Sequence, residues 1–233
     1  RAERLATLGQ MAAGIAHEIR NPLVGIGSTA SLLLEDTPDS DPRKADLGVI
    51  LAETKRLDRI VNQIIDYARP REVAPIEFAL ADLIAETLRL LDAAVTAKHV
   101  GVCSMVPPSL PPIHADRDQL KQVLLNLFQN AIEALPDGGR LDITAGWLAQ
   151  EGESGVVITV ADIGCGIAPN DLGHVFEPFF TTGKYHGTGL GLALCRNIIE
   201  AHRGDIHLTS EVGQGTSVRV WIPFRQEPQM IED

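Results

Sequence analysis

Gly155-Val-Val-Ile-Thr-Val160 and Gly215-Thr-Ser-Val-Arg-Val-Trp-Ile222 read as strands in hairpin-like groups, not in regular βαβ alternation. Working outward from them, strands are expected near 99–106, 139–149, 155–162, 204–211 and 215–223. Helical patterns fall near 80–97, 116–135 and 188–202. The combination predicts an α+β fold, an α/β sandwich with helices on one face of a mixed sheet. Pro70 and Pro75 mark a linker over 70–75. The sandwich is therefore expected over 76–225, with a tail over 226–233.

The residues before the linker are of a different kind. Leu5, Leu8, Ala12, Ile15 and Ile19 are spaced 3, 4, 3, 4, the seam of a helix bundle. Asp36-Thr-Pro-Asp-Ser-Asp-Pro42 is a polar connection with Ser40 and Asp41 as candidate caps. Leu47, Ile50, Leu51, Thr54, Leu57, Val61 and Ile64 then form a second stripe. Two amphipathic helices over 1–69 make an antiparallel hairpin. A lone hairpin leaves part of both stripes uncovered, so a homodimer closing a four-helix bundle is expected.

Charge divides the chain at the same place. The formal net charge is −11. Residues 1–69 hold nine Lys/Arg against ten Asp/Glu, whereas residues 70–233 hold eleven against twenty-one. Tyr67 is the only aromatic residue before position 70. Such an acidic balance argues against a nucleic-acid partner, which calls for a basic face. Cys103, Cys165 and Cys195 are odd in number and widely spaced, suggesting neither a disulfide framework nor a zinc site. No apolar run is long enough to span a membrane, and no signal peptide is evident, so a cytoplasmic location without membrane contact is expected. The chain opens in helical sequence without a start methionine, which predicts further sequence upstream.

Four patches carry the chemistry of the second part. Asn126 and Asn130 lie four apart on one helix face; they are either a pair of helix-surface amides or buried amides, which would need partners such as phosphate oxygens or hydrated Mg2+. Asp162-Ile-Gly-Cys-Gly-Ile167 ends a strand on a carboxylate, and its glycines allow close backbone approach to a ligand. Gly187-Thr-Gly-Leu-Gly-Leu192 runs into a helix whose N-terminal amides suit phosphate. Gly213-Gln-Gly-Thr216 precedes the last strand. The dinucleotide fingerprint, the P-loop and the protein-kinase motifs are absent, and His202-Arg-Gly-Asp205 is only a near miss.

In the first part, the heptad phase places His17 at position f, away from the seam. Glu18 can hold one imidazole nitrogen and leave the other as a nucleophile. Asn21 shares that face, and Pro22 removes a backbone donor and is expected to bend the helix beside it. A zinc-protease motif is excluded, because a histidine would have to stand at Asn21.

The ordered set resembles the sensor histidine kinases of two-component systems. His17-Glu-Ile-Arg-Asn-Pro-Leu23 is similar to their H box, Asn126-Leu-Phe-Gln-Asn130 to the N box and Asp162-Ile-Gly-Cys-Gly166 to the first G box. Phe176-Glu-Pro-Phe-Phe-Thr-Thr182 resembles the F box, and Gly187-Thr-Gly-Leu-Gly191 and Gly213-Gln-Gly-Thr216 the later G boxes. Glu133-Ala134 and Thr181-Thr182 look like the soluble nitrogen-regulation-type subgroup. The resemblance implies a histidine-phosphotransfer hairpin followed by a Bergerat-type (GHKL) ATPase fold. It further implies ATP and Mg2+ as cofactors, with Asn130 as metal ligand and Asn126 near the phosphates. Asp162 and Thr216 would serve the adenine, and Gly164, Gly166 and Ile167 would shape its pocket. Phe180, Lys184, Gly187, Thr188, Gly189, Leu190 and Gly191 would serve the lid and phosphates. Phe176 and Phe179, with Phe180, are expected to anchor the lid to the core. The implied activity is autophosphorylation of His17, assisted by Glu18, then transfer to an aspartate of a response-regulator receiver domain. Asn21 implies an additional regulator phosphatase activity. Two other readings stay open: a GHKL-type regulatory protein or clamp, which leaves the histidine hairpin unexplained, and a dimeric nucleotide-binding scaffold without transfer.

Overall fold

The computed structural model describes residues 2–68, 72–150, 152–181 and 188–224, with side chains over 18–67 in the first stretch. The chain forms two compact units, Arg1–Arg71 and Glu72–Asp233.

The first unit is the expected hairpin, with α1 (Ala2–Asp36) running through Pro22 and α2 (Arg43–Ala68) returning beside it. Of the two candidate caps, Asp41 acts: its Oδ1 accepts from the Arg43 N–H at 2.9 Å, and its carboxylate pairs with the Arg43 guanidinium. The helices approach closely at Gly27, where a Cβ would sit 3.2 Å from Thr54 Cγ2. Within the H box, Arg20 Nη2 donates to Asn62 Oδ1 at 2.5 Å, and its Nε lies 3.4 Å from Asp58 Oδ1. Leu23, Ala30 and Val61 are buried between the helices. Ile19, Ile26, Leu33, Ile50 and Leu57 remain exposed in the single chain.

The second unit begins with β1 (Ile76–Phe78), α3 (Leu80–Leu90), α4 (Asp92–Ala97), β2 (Gly101–Met105) and β3 (Ile113–Ala115). It continues through α5 (Arg117–Ala134), β4 (Arg140–Gln150), β5 (Glu153–Asp162), α6 (Pro169–Leu172), α7 (Gly191–Ala201), β6 (Asp205–Glu211) and β7 (Gly215–Pro223). The main sheet has the order β2-β4-β5-β7-β6, with β2 parallel to β4 and the other neighbours antiparallel. It is the mixed sheet expected from the sequence. Val156, Ile158 and Val160 alternate inward along β5, as do Val218, Val220 and Ile222 along β7. With Leu83, Leu127, Phe128 and Ile199 they form one core. On the opposite face, Trp221 crosses β5 over Gly155 to donate its Nε1–H to Leu148 O at 3.2 Å.

The departures from expectation are local. The helix expected over 80–97 is two helices, because Leu91 leaves helical geometry at φ −103°, ψ 4°. The helix expected from 188 starts at Gly191, since Gly189 has φ +68° and cannot belong to it. The paired strands β1 and β3 and the single turn α6 were not anticipated.

α5 is fixed at both ends. At its start, Asp116 Oδ1 accepts from the N–H groups of Asp118 and Gln119. At its end, Lys98 Nζ donates to the carbonyl oxygens of Ile132, Glu133 and Leu135 at 2.9–3.1 Å. α7 is tied to the first of these ends through His202, which is fully buried. Its Nε2 accepts from Asp116 N–H at 3.1 Å, so the ring proton sits on Nδ1 and goes to Ile198 O at 2.8 Å.

Burial holds the His202 imidazole below its ordinary value of 6.5, against opposing help from Ile198 O and the Asp116 charge. The folded chain therefore takes up this proton less readily than the unfolded chain. Its contribution to stability is complete above pH 6.5 and declines as pH falls from there towards the lower folded value. Urea denaturation across pH 7.5 to 5 is expected to show this decline, and His202→Gln should flatten it.

Candidate functional site

The site in the second unit forms where the ends of β5, α5, α7 and the β6–β7 turn converge. Asp162 is the last residue of β5 and stands opposite Thr216 in the β5–β7 register. Its Oδ1 accepts from Gly164 N–H at 2.8 Å and Thr216 N–H at 3.3 Å. Partial burial pushes the carboxyl upward, and these two N–H groups oppose the shift. Both recorded bonds use Oδ1, so among the described residues Oδ2 has no protein donor.

The glycines of this corner are required by close approach. A Cβ on Gly164 would lie 2.6 Å from Ala134 O at the end of α5. One on Gly166 would lie 2.0 Å from Glu211 O, and one on Gly215 1.9 Å from Asp162 O. Hydrogen bonds reinforce the junction: Cys165 N–H donates to Ala134 O, and Gly213 N–H donates to Cys165 O. Ile167 N–H donates to Ser210 Oγ, so its amide is already engaged.

Asn126 and Asn130 share one face of α5; of the two alternatives, buried amides or a helix-surface pair, the structure is nearer the second, with Asn126 half-buried and Asn130 exposed. The physical reason is position. Leu124, Leu127 and Phe128 take the core-facing stripe of the helix, and the two asparagines lie off it. Asn126 faces the start of α7, where a Cβ on Gly191 would sit 3.6 Å from Asn126 Oδ1. Behind it lies Cys195, fully buried, with Sγ 3.8 Å from Val123 O. Burial pushes this thiol up to about 12, with a hydrogen bond from Asn126 opposing, so it stays protonated.

The third glycine patch backs onto the F box. Gly189 has φ +68°, and its Cβ position would fall 2.4 Å from Phe179 C. Phe179 N–H donates to Gly189 O at 2.9 Å, and Thr188 Oγ1 accepts from Leu190 N–H at 3.3 Å. Leu190 is buried in the core, so only its backbone can face a ligand. Phe176 packs against the core, and Phe180 lies half-buried, 5.7 Å from the His174 ring. Phe179 departs from its expected role as an apolar anchor: its ring is 63% exposed, and its φ of +66° marks local strain. Its backbone, not its ring, makes the coupling to the glycine patch. Lys184 and Gly187 lie outside the described residues, as does Thr182.

In the first unit, His17 lies on α1 but its side chain is outside the described set; Glu18 and Asn21 are exposed on the same helix. Arg20, within the H box, was not singled out from sequence, although it bridges α1 to Asp58 and Asn62 on α2. Ser210, His202 and Lys98 were likewise missed, because their partners are distant in sequence.

No metal is needed to build these contacts, but Asn130 suits one. An exposed amide oxygen is a hard donor, and Mg2+ characteristically takes few protein oxygens alongside phosphate and water. Among the described residues there is no cluster of three or more His, Cys, Asp or Glu side chains able to form a dedicated cage.

Comparison with known proteins covers both units. The family of histidine kinase-, DNA gyrase B-, and HSP90-like ATPases matches residues 115–226, and the His Kinase A (phospho-acceptor) domain matches residues 7–72. The sensor histidine kinase ZraS of Escherichia coli (strain K12) is 39% identical over 232 residues, which are 98% of this chain and 49% of ZraS. The chain thus spans about half the length of that relative. Full-length ShkA in complex with AMPPNP superposes with a TM-score of 0.78 at 29% identity, covering 94% of this chain and 46% of that one. Histidine kinase ThkA, in a complex with response regulator protein TrrA, gives 0.68 at 34% identity, covering 97% and 64%. The separate catalytic domain of ThkA gives 0.58 at 35% identity, covering 65% of this chain and 96% of that domain.

Proposed function

Because the chain belongs to the sensor histidine kinases of two-component systems, we propose that it transfers the γ-phosphoryl group of ATP to His17 and then to an aspartate of a response-regulator receiver domain. The observation that carries this reading is the corner at Asp162, where three glycines yield their Cβ positions to backbone while a carboxylate oxygen stays available. Such a corner suits a flat base bearing an N–H donor. Asp162 Oδ2 accepts from the adenine amino group, and Gly164, Gly166 and Ile167 shape the space around the ring. Asn130 supplies an oxygen to Mg2+, which when bound neutralises phosphate charge. Asn126 and the uncapped N-terminal amides of α7, with Thr188, Gly189, Leu190 and Gly191, hold the phosphates. Phe180 is assigned to the lid side of the site, and Lys184 and Gly187, outside the described residues, are assigned to the same role from the family resemblance alone.

The transfer itself needs in-line positioning more than covalent help. One imidazole nitrogen of His17 forms the new P–N bond as the bond between the γ-phosphorus and the bridging oxygen breaks, leaving ADP. Glu18 takes the proton from the other nitrogen. The phosphohistidine then gives its phosphoryl group to a receiver aspartate; the relative ThkA, in a structure with response regulator protein TrrA, supports this choice of partner. Asn21, exposed beside the histidine, positions water for a regulator phosphatase activity. With ATP as donor and a receiver domain as acceptor, the site works in the cytoplasm; no helix among the described residues is long and apolar enough to cross a membrane.

The test is incubation of the full chain with γ-labelled ATP and Mg2+. An acid-labile, base-stable label that moves to a receiver domain supports the kinase. No label despite measurable ATP binding supports the scaffold instead.

The hairpin acts as a homodimer. Ile26, Leu33 and Ile50 are exposed around an apolar groove with Pro22, Ala30 and Leu47, and a second hairpin covers it. Sedimentation at micromolar concentration should give twice the chain mass of 25.1 kDa, and Ile26→Asp with Leu33→Asp should give the monomer. A monomeric parent chain would remove the four-helix bundle.

A further inference from the structure

One side chain joins the β6–β7 turn to the first glycine box. Ser210 Oγ lies 2.9 Å from Ile167 N, 2.8 Å from Gly215 O and 2.9 Å from Thr216 Oγ1. A serine hydroxyl has one hydrogen and two acceptor lone pairs. The Ile167 amide can only donate, so it occupies one lone pair. The Gly215 carbonyl can only accept, so it takes the hydrogen. The last lone pair is left for Thr216, and all three contacts are satisfied together only when the Thr216 hydroxyl donates. Thr216 Oγ1 therefore commits its hydrogen to Ser210 and presents lone pairs to anything else that approaches.

This matters because of where Thr216 stands. It faces Asp162 across the β5–β7 register, and its N–H donates to Asp162 Oδ1. The corner consequently offers acceptors twice over, a carboxylate oxygen and a hydroxyl oxygen. Adenine brings an amino group with two hydrogens to such a corner, and guanine brings a carbonyl oxygen in the equivalent place. A hydroxyl free to rotate would serve either base by donating or accepting. Where it meets the group on C6, a hydroxyl pinned as an acceptor favours the amino group of adenine over the carbonyl of guanine.

We infer that Ser210 is a positioning residue for base selectivity, holding the Thr216 hydroxyl as an acceptor so that the pocket favours adenine over guanine nucleotides. The inference rests on the proposed assignment of Asp162 and Thr216 to the base. Ser210 does not touch the nucleotide; it acts through Thr216 and, through Ile167 N–H, keeps the glycine box in register.

Titration calorimetry of the full chain with Mg-ADP and Mg-GDP tests this. Ser210→Ala should lower the ADP-over-GDP preference about tenfold, the scale of the net worth of one hydrogen bond. Ser210→Thr, which keeps a hydroxyl, should restore it. Thr216→Val should cause the same loss, and adding Ser210→Ala to it should cause no more, because both act through one group. A general loosening of the turn would make the two changes additive. Asp162→Asn is the control for the underlying assignment, and should shift preference towards GDP by supplying a donor. If that variant keeps the parental preference, the base assignment fails. If it shifts while Ser210→Ala or Thr216→Val keeps the parental preference, the role of Ser210 is overturned. The Thr216→Val arm decides the matter even where Ser210→Ala fails to fold.

Discussion

Replacing His17 with glutamine should reduce phosphorylation of the chain from γ-labelled ATP to background, a loss on the order of a thousandfold or more, while leaving ATP binding unchanged. The argument has two halves. Glutamine keeps a polar side chain of helical character but has no nucleophilic nitrogen, so no P–N bond can form and no weaker substitute stands in its place. The corner proposed for the nucleotide is assembled wholly from residues of the second compact unit, from Asn126 at one end to Thr216 at the other. That unit has its own core, centred on Phe128, Ile143, Val156 and Ile222. Binding and transfer are therefore separable by a change on α1. The measurements are filter-bound label after acid and base treatment, and calorimetric affinity for Mg-ADP. Residual label at the parental rate would move the phosphorylation site away from His17.

The acidic charge of the chain gains meaning from the same division. Asp162 is the carboxylate proposed for the base, and the groups proposed for the phosphates are amides and hydroxyls, not a basic cluster. Phosphate charge is then met by Mg2+ and by backbone N–H groups at the start of α7, which bind anions without a large positive field.

What could be read in advance follows the range of the interactions involved. The parity of Val156, Ile158 and Val160 is written in consecutive residues, so β5 was legible, and so were β7 and the core stripe of α5. β1 and β3 have three residues each and exist through pairing with one another, a partnership that no local window contains. The break at Leu91 carries no glycine or proline to announce it. The glycine patches were visible as patches, but only the fold shows that Gly164 meets α5, Gly166 meets the β6–β7 turn and Gly189 meets the F box. Ser210, Lys98 and His202 are ordinary residues in the sequence. Each matters through a partner more than thirty residues away, at Ile167, Ile132 and Asp116 respectively. Exposure was the other blind spot: Phe179 is less covered than its place in an apolar run suggested, because its positive φ turns it away from the backbone course its neighbours follow.

Gly215→Ala should be the most damaging single change in the nucleotide unit that introduces no charge and removes no side chain. Gly215 has φ +107°, a conformation that alanine adopts only under strain, and its Cβ would stand 1.9 Å from Asp162 O. The next atoms it meets are Asp162 C and Ile163 Cα, both at 2.8 Å. All three belong to main chain, so no rotamer change can make room, and the first residue of β7 must move away from the end of β5. That movement separates Thr216 from Asp162 and releases the Gly215 carbonyl from Ser210. Strain and overpacking each cost about 1–3 kcal/mol, so a loss of roughly 2–6 kcal/mol in unfolding free energy is expected. Affinity for Mg-ADP should fall at least about tenfold, since the net loss of one hydrogen bond alone accounts for that much. Gly213→Ala is the matched comparison in the same turn. Gly213 also has a left-handed φ, +77°, but its Cβ would meet nothing within 4 Å. It should cost about 1 kcal/mol from conformation alone and leave nucleotide affinity nearly intact. Denaturant midpoints and calorimetry on the two variants separate backbone strain from close approach. Equal losses in both would mean that the turn, and not the contact between Gly215 and Asp162, sets the geometry of the base pocket.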